Sequence, residues 1–318
     1  LFRSQHPEEV VLALPPIVRE MLGADATPLL EALGETPPAS IRLNPFKPSP
    51  AKGMPVPWCA DGRYLDSRPV FTLDPLFHAG AYYVQEAASM LLEQAMKACG
   101  PFPPAMSALD LCAAPGGKST HLAGMLPPDA LLTCNEPVRA RQGALMENLW
   151  KWGRPDVVVT GSLPSAFSQL GEFFDLILVD APCSGEGMFR KDPFARAQWS
   201  EALVEHCVAL QSVIRGTAWR RRRSWGRLIY STCTWEEREN EAHVRWLMGE
   251  GAELVQIPYD PAWGMTDDGA GLRCYPHRVK GEGFFIAVLR KPGSHLPHAP
   301  EEHLETPTHE GIGRWLRG

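Results

Sequence analysis

The chain is short of everything that would seat it in a membrane or staple it together. No apolar run in its 318 residues is long enough to cross a bilayer, so no membrane partner is expected. The start shows no charged segment followed by a long apolar stretch, so no secretory signal is expected, although the chain begins at Leu1 rather than Met. None of its eight cysteines stands in a Cys-x-x-Cys pair, and the clustered ligand spacing of a zinc site is missing. No metal is therefore expected, and reduced thiols in a cytoplasmic protein are. Excess positive charge is also lacking. With 31 basic and 37 acidic residues the net charge is −6, which argues against a protein that coats itself in nucleic acid. The local distribution is more telling than the sum. Six arginines fall between Arg215 and Arg227, with Trp219 and Trp225 among them. They read equally as the solvated face of a helix or as an RNA-facing patch.

What is present is a core. Hydrophobic residues make up 44% of the chain, enough to fold and too many for global disorder. Residues 1–46 read as a small helical unit, with helix signal over 10–22 and 28–33 and a short strand at 41–45. The proline-rich stretch 45–70 reads as loops and edge strands. The pattern from Gly80 to Cys99 reads as one long amphipathic helix. From residue 106 strands and helices alternate. Strands are expected at 108–113, 131–135, 157–159, 174–179, 228–230, 254–257 and 284–289, and helices at 139–152, 201–219 and 236–248. Such alternation predicts an α/β fold with a doubly wound, mostly parallel sheet. No internal repeat occurs, and the stretch after Lys291 reads as a tail.

The end of the first strand of this region carries Cys112-Ala113-Ala114-Pro115-Gly116-Gly117-Lys118. Small residues let backbone approach a ligand, and a helix opening behind them aims its free amides at it. The ending Gly117-Lys118-Ser119 is that of a phosphate loop, but such a loop needs glycine at position 112. Nor does the turn spell Gly-x-Gly-x-x-Gly. S-adenosylmethionine, which has no phosphate, suits the turn better. Its methionine end would sit against the turn and Lys118, and its ribose against Glu136 at the end of the second strand, where an acid serves the same purpose in dinucleotide folds.

Two cysteines follow two further strands, Cys183 in Asp180-Ala181-Pro182-Cys183-Ser184-Gly185 and Cys233 in Ser231-Thr232-Cys233-Thr234. Either alone reads as a small buried side chain. At successive strand ends, one of them beside an aspartate, they read as reactive. Carbon 5 of a pyrimidine is a poor nucleophile until a thiolate adds to carbon 6. That chemistry needs a nucleophilic cysteine, a donor near ring nitrogen 3 and a proton acceptor. Asp180, Cys183 and Cys233 could fill these roles.

These residues resemble the Nop/Sun RNA (cytosine-5) methyltransferases. The resemblance runs from about Leu14 to Lys291. It includes Ile41-Arg42-Leu43-Asn44, Ala79-Gly80-Ala81-Tyr82, Gln85 to Met90, the 112–118 turn, both cysteine segments and Gly281-Glu282-Gly283-Phe284-Phe285. The run Glu186 to Pro193 is similar to the bacterial branch acting on 16S ribosomal RNA. The resemblance implies a Rossmann-like S-adenosylmethionine-dependent methyltransferase fold with a mostly parallel seven-stranded sheet. It implies a small N-terminal α+β domain with its connector over 1–105, a catalytic domain over 106–291 and a tail over 292–318.

It further implies Cys233 as the nucleophile, Cys183 as the cysteine that helps resolve the adduct, and Asp180 as a contact to both ring and cofactor. Cys112, Ala113, Ala114, Pro115, Gly116, Gly117, Lys118 and Glu136 match cofactor contacts. DNA cytosine-5 methyltransferases use the Pro-Cys cysteine as nucleophile, so Cys183 is the competing assignment, and Thr232-Cys233-Thr234 decides for Cys233. After the third strand, Ser162 stands where the family holds the adenine amino group. Ser224-Trp225-Gly226 replaces the usual Gly-Gly turn. A C-terminal RNA-binding domain common in this branch is expected to be reduced or removed. The expected partner is ribosomal RNA, or another RNA such as tRNA, met by a cytoplasmic monomer. A methyltransferase acting on protein or small molecules, or a ribosome-assembly scaffold, would have no use for the paired cysteines.

Overall fold

The computed structural model describes residues 14–293, so the tail from 294 and the start of the first helical segment lie outside the described residues. Two short helices, α1 (Pro16–Leu22) and α2 (Ala26–Leu33), lead into strand β1 (Ala39–Leu43). Then come β2 (Met54–Val56), β3 (Cys59–Leu65), α3 (Pro75–His78), β4 (Tyr82–Val84) and α4 (Leu92–Cys99). The second unit runs β5 (Ser107–Asp110), α5 (Gly117–Met125), β6 (Leu131–Asn135), α6 (Arg139–Trp152), β7 (Val157–Thr160) and β8 (Phe174–Asp180). It continues with α7 (Pro193–Gln198), α8 (Glu201–Arg221), β9 (Arg222–Thr232), α9 (Glu241–Gly249), β10 (Glu253–Val255), β11 (Thr266–Asp267), β12 (Leu272–Cys274) and β13 (Phe284–Arg290).

Strands β2, β3, β1 and β4 form an antiparallel four-stranded sheet in that order. The larger sheet runs β11-β12-β13-β9-β8-β5-β6-β7, with β10 also on β13. Strands β5 to β9 are parallel and β13 is antiparallel. The central parallel strands are mostly buried because helices cover both faces, with polar residues gathered toward their ends. Leu92, Leu122 and Leu145 from α4, α5 and α6 pack on one face. Ile214 and Ala218 of α8, with Val244 and Leu247 of α9, pack on the other. Among the described residues no helix is long and apolar enough to cross a membrane.

The expected doubly wound sheet is present, and all seven expected strands are in it. It is wider than expected, because the short β11 and β12 pair extend it beyond β13. The single helix expected over 80–99 is corrected. Tyr82, Tyr83 and Val84 pair with Leu43, Arg42 and Ile41 as a strand. The carboxylate of Glu86 accepts the amides of Ala88 and Ser89, which starts a 3₁₀ turn, and the α-helix begins only at Leu92. Tertiary pairing and local capping override the apolar periodicity there.

Strand β3 is interior to its sheet rather than at an edge. The helix expected over 236–248 is also broken. A 3₁₀ turn spans Glu237–Glu239, and Asn240, at φ −118° and ψ −90°, separates it from α9.

Of the arginine segment, Arg220 is exposed while Arg215 and Arg227 are half-buried. Arg215 lies over the Trp246 ring at 4.0 Å and contacts His243 Nδ1. Burial lowers the pKa values of Arg215 and Arg227. The side chains of residues 221–225, Trp225 among them, lie outside the described residues.

Candidate active site

The site grows from the carboxyl ends of the parallel strands, where open α/β sheets bind ligands. Register does the first part of the work. Parallel pairing sets Asp180 of β8 level with Ser231 of β9, so Cys183 and Cys233 leave the sheet side by side. Their sulfurs are 3.1 Å apart, and the Cys233 amide donates to Cys183 Sγ at 3.4 Å. Both cysteines are half-buried, so each sulfur can meet a ligand while its neighbours Ser184, Thr232 and Thr234 stay inside. The hydrogen bond with Cys233, followed by burial, pushes the Cys183 thiol well above its ordinary range. Cys183 is thereby held toward its neutral thiol form, within hydrogen-bond reach of the neighbouring sulfur.

Asp180 is tied from two sides. Its Oδ2 pairs with Lys118 Nζ at 2.8 Å, and its Oδ1 accepts from Ser231 Oγ at 2.9 Å. Burial opposes the charge on Lys118, but Asp180 outweighs it and the pKa is raised. The ammonium also acts on the Cys233 sulfur and lies 5.0 Å from the Phe284 ring centre. A cation paired with Asp180 thus acts on the thiol, the kind of setting that favours a thiolate.

The 112–118 turn joins β5 to α5, which begins at Gly117 rather than at Ser119. Gly116 adopts φ 111°, a left-handed conformation that glycine takes without strain. A Cβ on Gly117 would press on the Tyr83 ring at 3.3 Å. Ala113 and Ala114 are buried and Pro115 is exposed. At the strand end, Asp110 Oδ2 accepts from Ser119 Oγ at 2.7 Å, while its Oδ1 is buried with no partner. Burial pushes the Asp110 carboxyl up to about 7. Burial and the carboxylates of Asp110, Asp180 and Glu136 push the Cys112 thiol far above its usual range, so Cys112 is no nucleophile. Those three carboxylates therefore converge on one turn. A small-residue cradle with an orphaned carboxyl oxygen at its base fits a cationic donor such as S-adenosylmethionine.

Glu136 follows β6 directly and is buried at 2% exposure. Its Oε1 accepts the Val138 amide at 2.8 Å and its Oε2 lies 3.3 Å from Arg141 Nη1. Ser162 follows β7, and its amide donates to Asn135 Oδ1 at 3.0 Å. The structure thus pairs Cys183 with Cys233 and Lys118 with Asp180 at the ends of neighbouring strands, and sets Glu136 and Ser162 on the adjoining strand ends.

Several residues here stood in the sequence only inside motifs of the resemblance, with no role assigned to them, or carried no signal at all. Arg42 of β1 reaches across to α5, donating to Thr120 Oγ1 at 2.7 Å and the Gly117 carbonyl at 3.1 Å, and lies over Trp152. Gly187 is pressed between strands of loop, and a Cβ there would lie 2.4 Å from Gly283 O and 2.6 Å from Cys233 O. Arg190 and Glu282 form a buried pair at 3.0 Å that ties the 186–190 segment to the 281–283 loop. Beneath the cysteines lie Gln211, Glu186, Glu239 and Asn240, all fully buried. Their polar character reads as surface in a sequence, and only the fold turns them inward.

A mixed sheet of this order, with a small-residue turn after its first strand, defines the Rossmann-like S-adenosylmethionine-dependent methyltransferase fold. Comparison narrows the class. The 16S rRNA methyltransferase RsmB/F model matches residues 103–290, and the model for the N-terminal domain of 16S rRNA methyltransferase RsmF matches residues 17–87. The chain belongs to the RsmB/F family of 16S rRNA methyltransferases.

It is 35% identical over 255 residues to ribosomal RNA small subunit methyltransferase F of Pectobacterium atrosepticum, covering 76% of this chain and 52% of that protein. The Erwinia tasmaniensis protein of the same name is 36% identical over 259 residues, covering 78% and 53%. The chain spans about half the length of the curated relatives it matches. Among solved structures, a methyltransferase homolog protein from Pyrococcus horikoshii aligns with TM-score 0.74 and 26% identity, covering 91% of this chain and all of that one. NSun6 from the same organism, solved with SFG, shares the fold at TM-score 0.77 and 21% identity, covering 89% of this chain and all of that one.

Proposed function

We propose that this chain methylates carbon 5 of a cytosine in 16S ribosomal RNA, with S-adenosylmethionine as donor and Cys233 as transient covalent nucleophile. The observation that carries the reading is the pair of sulfurs 3.1 Å apart beside the Lys118–Asp180 ion pair. Membership of the 16S rRNA methyltransferase family supports the substrate, and the neighbour crystallised with SFG, an S-adenosylmethionine analogue, supports the donor.

The 112–118 turn, Asp110 and Glu136 hold the donor, with Ser162 toward its adenine. When bound, S-adenosylmethionine supplies an electrophilic methyl group to ring carbon 5. The chain's residues do the rest. Cys233 loses its proton to solvent, favoured by Lys118, and its thiolate adds to ring carbon 6. The displaced electron pair makes carbon 5 nucleophilic, while Asp180 contacts the ring and orients it. After transfer the carbon 5 proton leaves to solvent. Its electron pair restores the double bond, and the carbon–sulfur pair returns to Cys233. The Cys183 thiol donates to the departing sulfur, which makes it a better leaving group. The target cytosine must be unstacked to enter, as base-modifying enzymes require. The protein acts as a monomer in the cytoplasm.

The test is methyl transfer from labelled S-adenosylmethionine to 16S ribosomal RNA. Cys233→Ala is expected to abolish transfer. Cys183→Ala is expected to leave protein linked to RNA through denaturing electrophoresis. Turnover by Cys233→Ala would end the nucleophile assignment, and bisulfite sequencing of the product reads the modified position.

A further inference from the structure

The residues on each side of each cysteine are gripped by buried polar side chains, and a different set serves each cysteine. Around Cys183, the Pro182 carbonyl accepts from Gln211 Nε2 at 2.8 Å. The Ser184 amide donates to Glu239 Oε2 at 3.1 Å, and the Ser184 hydroxyl donates to Glu239 Oε1. Gln211 and Glu239 are themselves bonded at 2.7 Å, so one unit holds both neighbours of Cys183. His243 Nε2 lies 2.8 Å from Gln211 Oε1 and fixes that amide. Burial, followed by Arg215, lowers the His243 imidazole to about 3, so it serves as a neutral partner.

Around Cys233 the grip is Asn240. Its Nδ2 donates to the Thr234 carbonyl at 3.0 Å, and its Oδ1 accepts from Thr232 Oγ1 at 2.6 Å. Asn240 therefore spans both neighbours of the other sulfur. Between the two grips stands Glu186. It accepts from Thr234 Oγ1 and from Trp199 Nε1 at 2.7 Å, and lies 3.1 Å from Ser184 Oγ. Gln211, Glu239, Asn240, Glu186 and His243 are at most 1% exposed, and Ser184 is 5% exposed. Burying so many polar atoms is costly unless each is used.

We propose that Gln211 with Glu239 is a positioning unit for Cys183, and Asn240 a positioning residue for Cys233. Each grip then governs a different half of the reaction. This rests on the roles proposed above for the two cysteines. Glu239 and Gln211 aim the thiol that assists departure of sulfur from the adduct. Asn240 aims the thiolate that forms it. Displacing a reacting group by about an ångström can slow its step on the order of a hundredfold.

The experiment is a rapid-quench comparison of adduct formation and adduct decay, using full-length variants, S-adenosylmethionine and a 16S ribosomal RNA fragment. Gln211→Ala and Glu239→Gln are expected to accumulate RNA-linked protein, with decay slowed on the order of tenfold or more while formation is little changed. Asn240→Ala is expected to do the reverse, slowing formation and accumulating no linked species. Ser184→Ala, which keeps the amide bond to Glu239, is a milder version of the first pair and covers the case in which Glu239→Gln fails to fold. Equal slowing of both steps in all variants would mean a merely structural role and would overturn the proposal. Cys183→Ala and Cys233→Ala run alongside. Should those two fail to separate decay from formation, the cysteine roles are wrong. Should they separate while the grip variants do not, the grips alone are refuted.

Discussion

Two cysteines of the same kind become different groups through what surrounds each one. Cys183 is held as a neutral thiol by its bond to the neighbouring sulfur and by burial. Cys233 faces Lys118. Glu186, beneath both, is set apart by the same physics, because burial pushes its carboxyl up to about 7 from the ordinary 4.5. The folded state then binds a proton that the unfolded chain has released, so stability falls as pH rises between those values. Its contribution is whole below about pH 4.5 and is lost by the time pH has passed through about 7. The shift corresponds to about 3 kcal/mol. Glu186→Gln, which cannot ionise, is expected to flatten this slope between pH 5 and pH 8, whatever it does to stability at any single pH. Unfolding midpoints measured across that range check it, and an unchanged slope would show that Glu186 does not titrate there.

At the scale of elements, Arg42 decides how the small sheet meets the large one. It is 2% exposed, bonded to Gln85 Oε1 at 2.7 Å, to Thr120 and to the Gly117 carbonyl, and stacked 4.4 Å from the Trp152 ring centre. A lysine ammonium offers neither the planar fork nor the stacking face. Arg42→Lys is expected to cost about 2–4 kcal/mol and to weaken donor binding, since Gly117 belongs to the ligand turn. Calorimetry with S-adenosylmethionine, set beside a melting curve, reads both, and a variant as stable as the parent would show the tie to be idle.

The same scale shows where a sequence is readable. Strand β6 and helix α6 fall on their expected bounds, because each is fixed by local apolar pattern and turn chemistry. The 112–118 turn and both cysteine segments drew attention in the sequence because small and reactive residue types crowd at strand ends. The 80–99 segment was not, since β4 exists only through its pairing with β1. Gln211, Glu239 and Asn240 were hidden for a related reason. Nothing local distinguishes a polar residue that faces water from one that faces a cysteine loop.

At the scale of the whole molecule, the N-terminal helices brace the catalytic loops. Leu29 and Leu33 of α2 pack in one cluster with Phe189 and Trp235, the residues that follow the two cysteine segments, and those rings meet edge-on at 6.2 Å. The N-terminal unit therefore acts as a wall of the site rather than an appended module. The proposed substrate is a polyanion, yet the net charge is −6. Attraction is therefore expected from locally placed cations rather than from the overall field. Each phosphate of a single strand neutralised by such a cation releases a counterion and adds about −0.7 to the slope of log affinity against log salt. A few contacts predict a slope of about −2 to −4, and a loss of affinity of about tenfold or more between 50 and 200 mM salt. Anisotropy titrations of a labelled 16S ribosomal RNA fragment, repeated across that range, measure it directly. A steeper slope would point to a broader basic surface than a local cluster provides. Affinity that does not respond to salt would mean that the chain holds RNA through its bases alone, and the electrostatic account of recognition would fall.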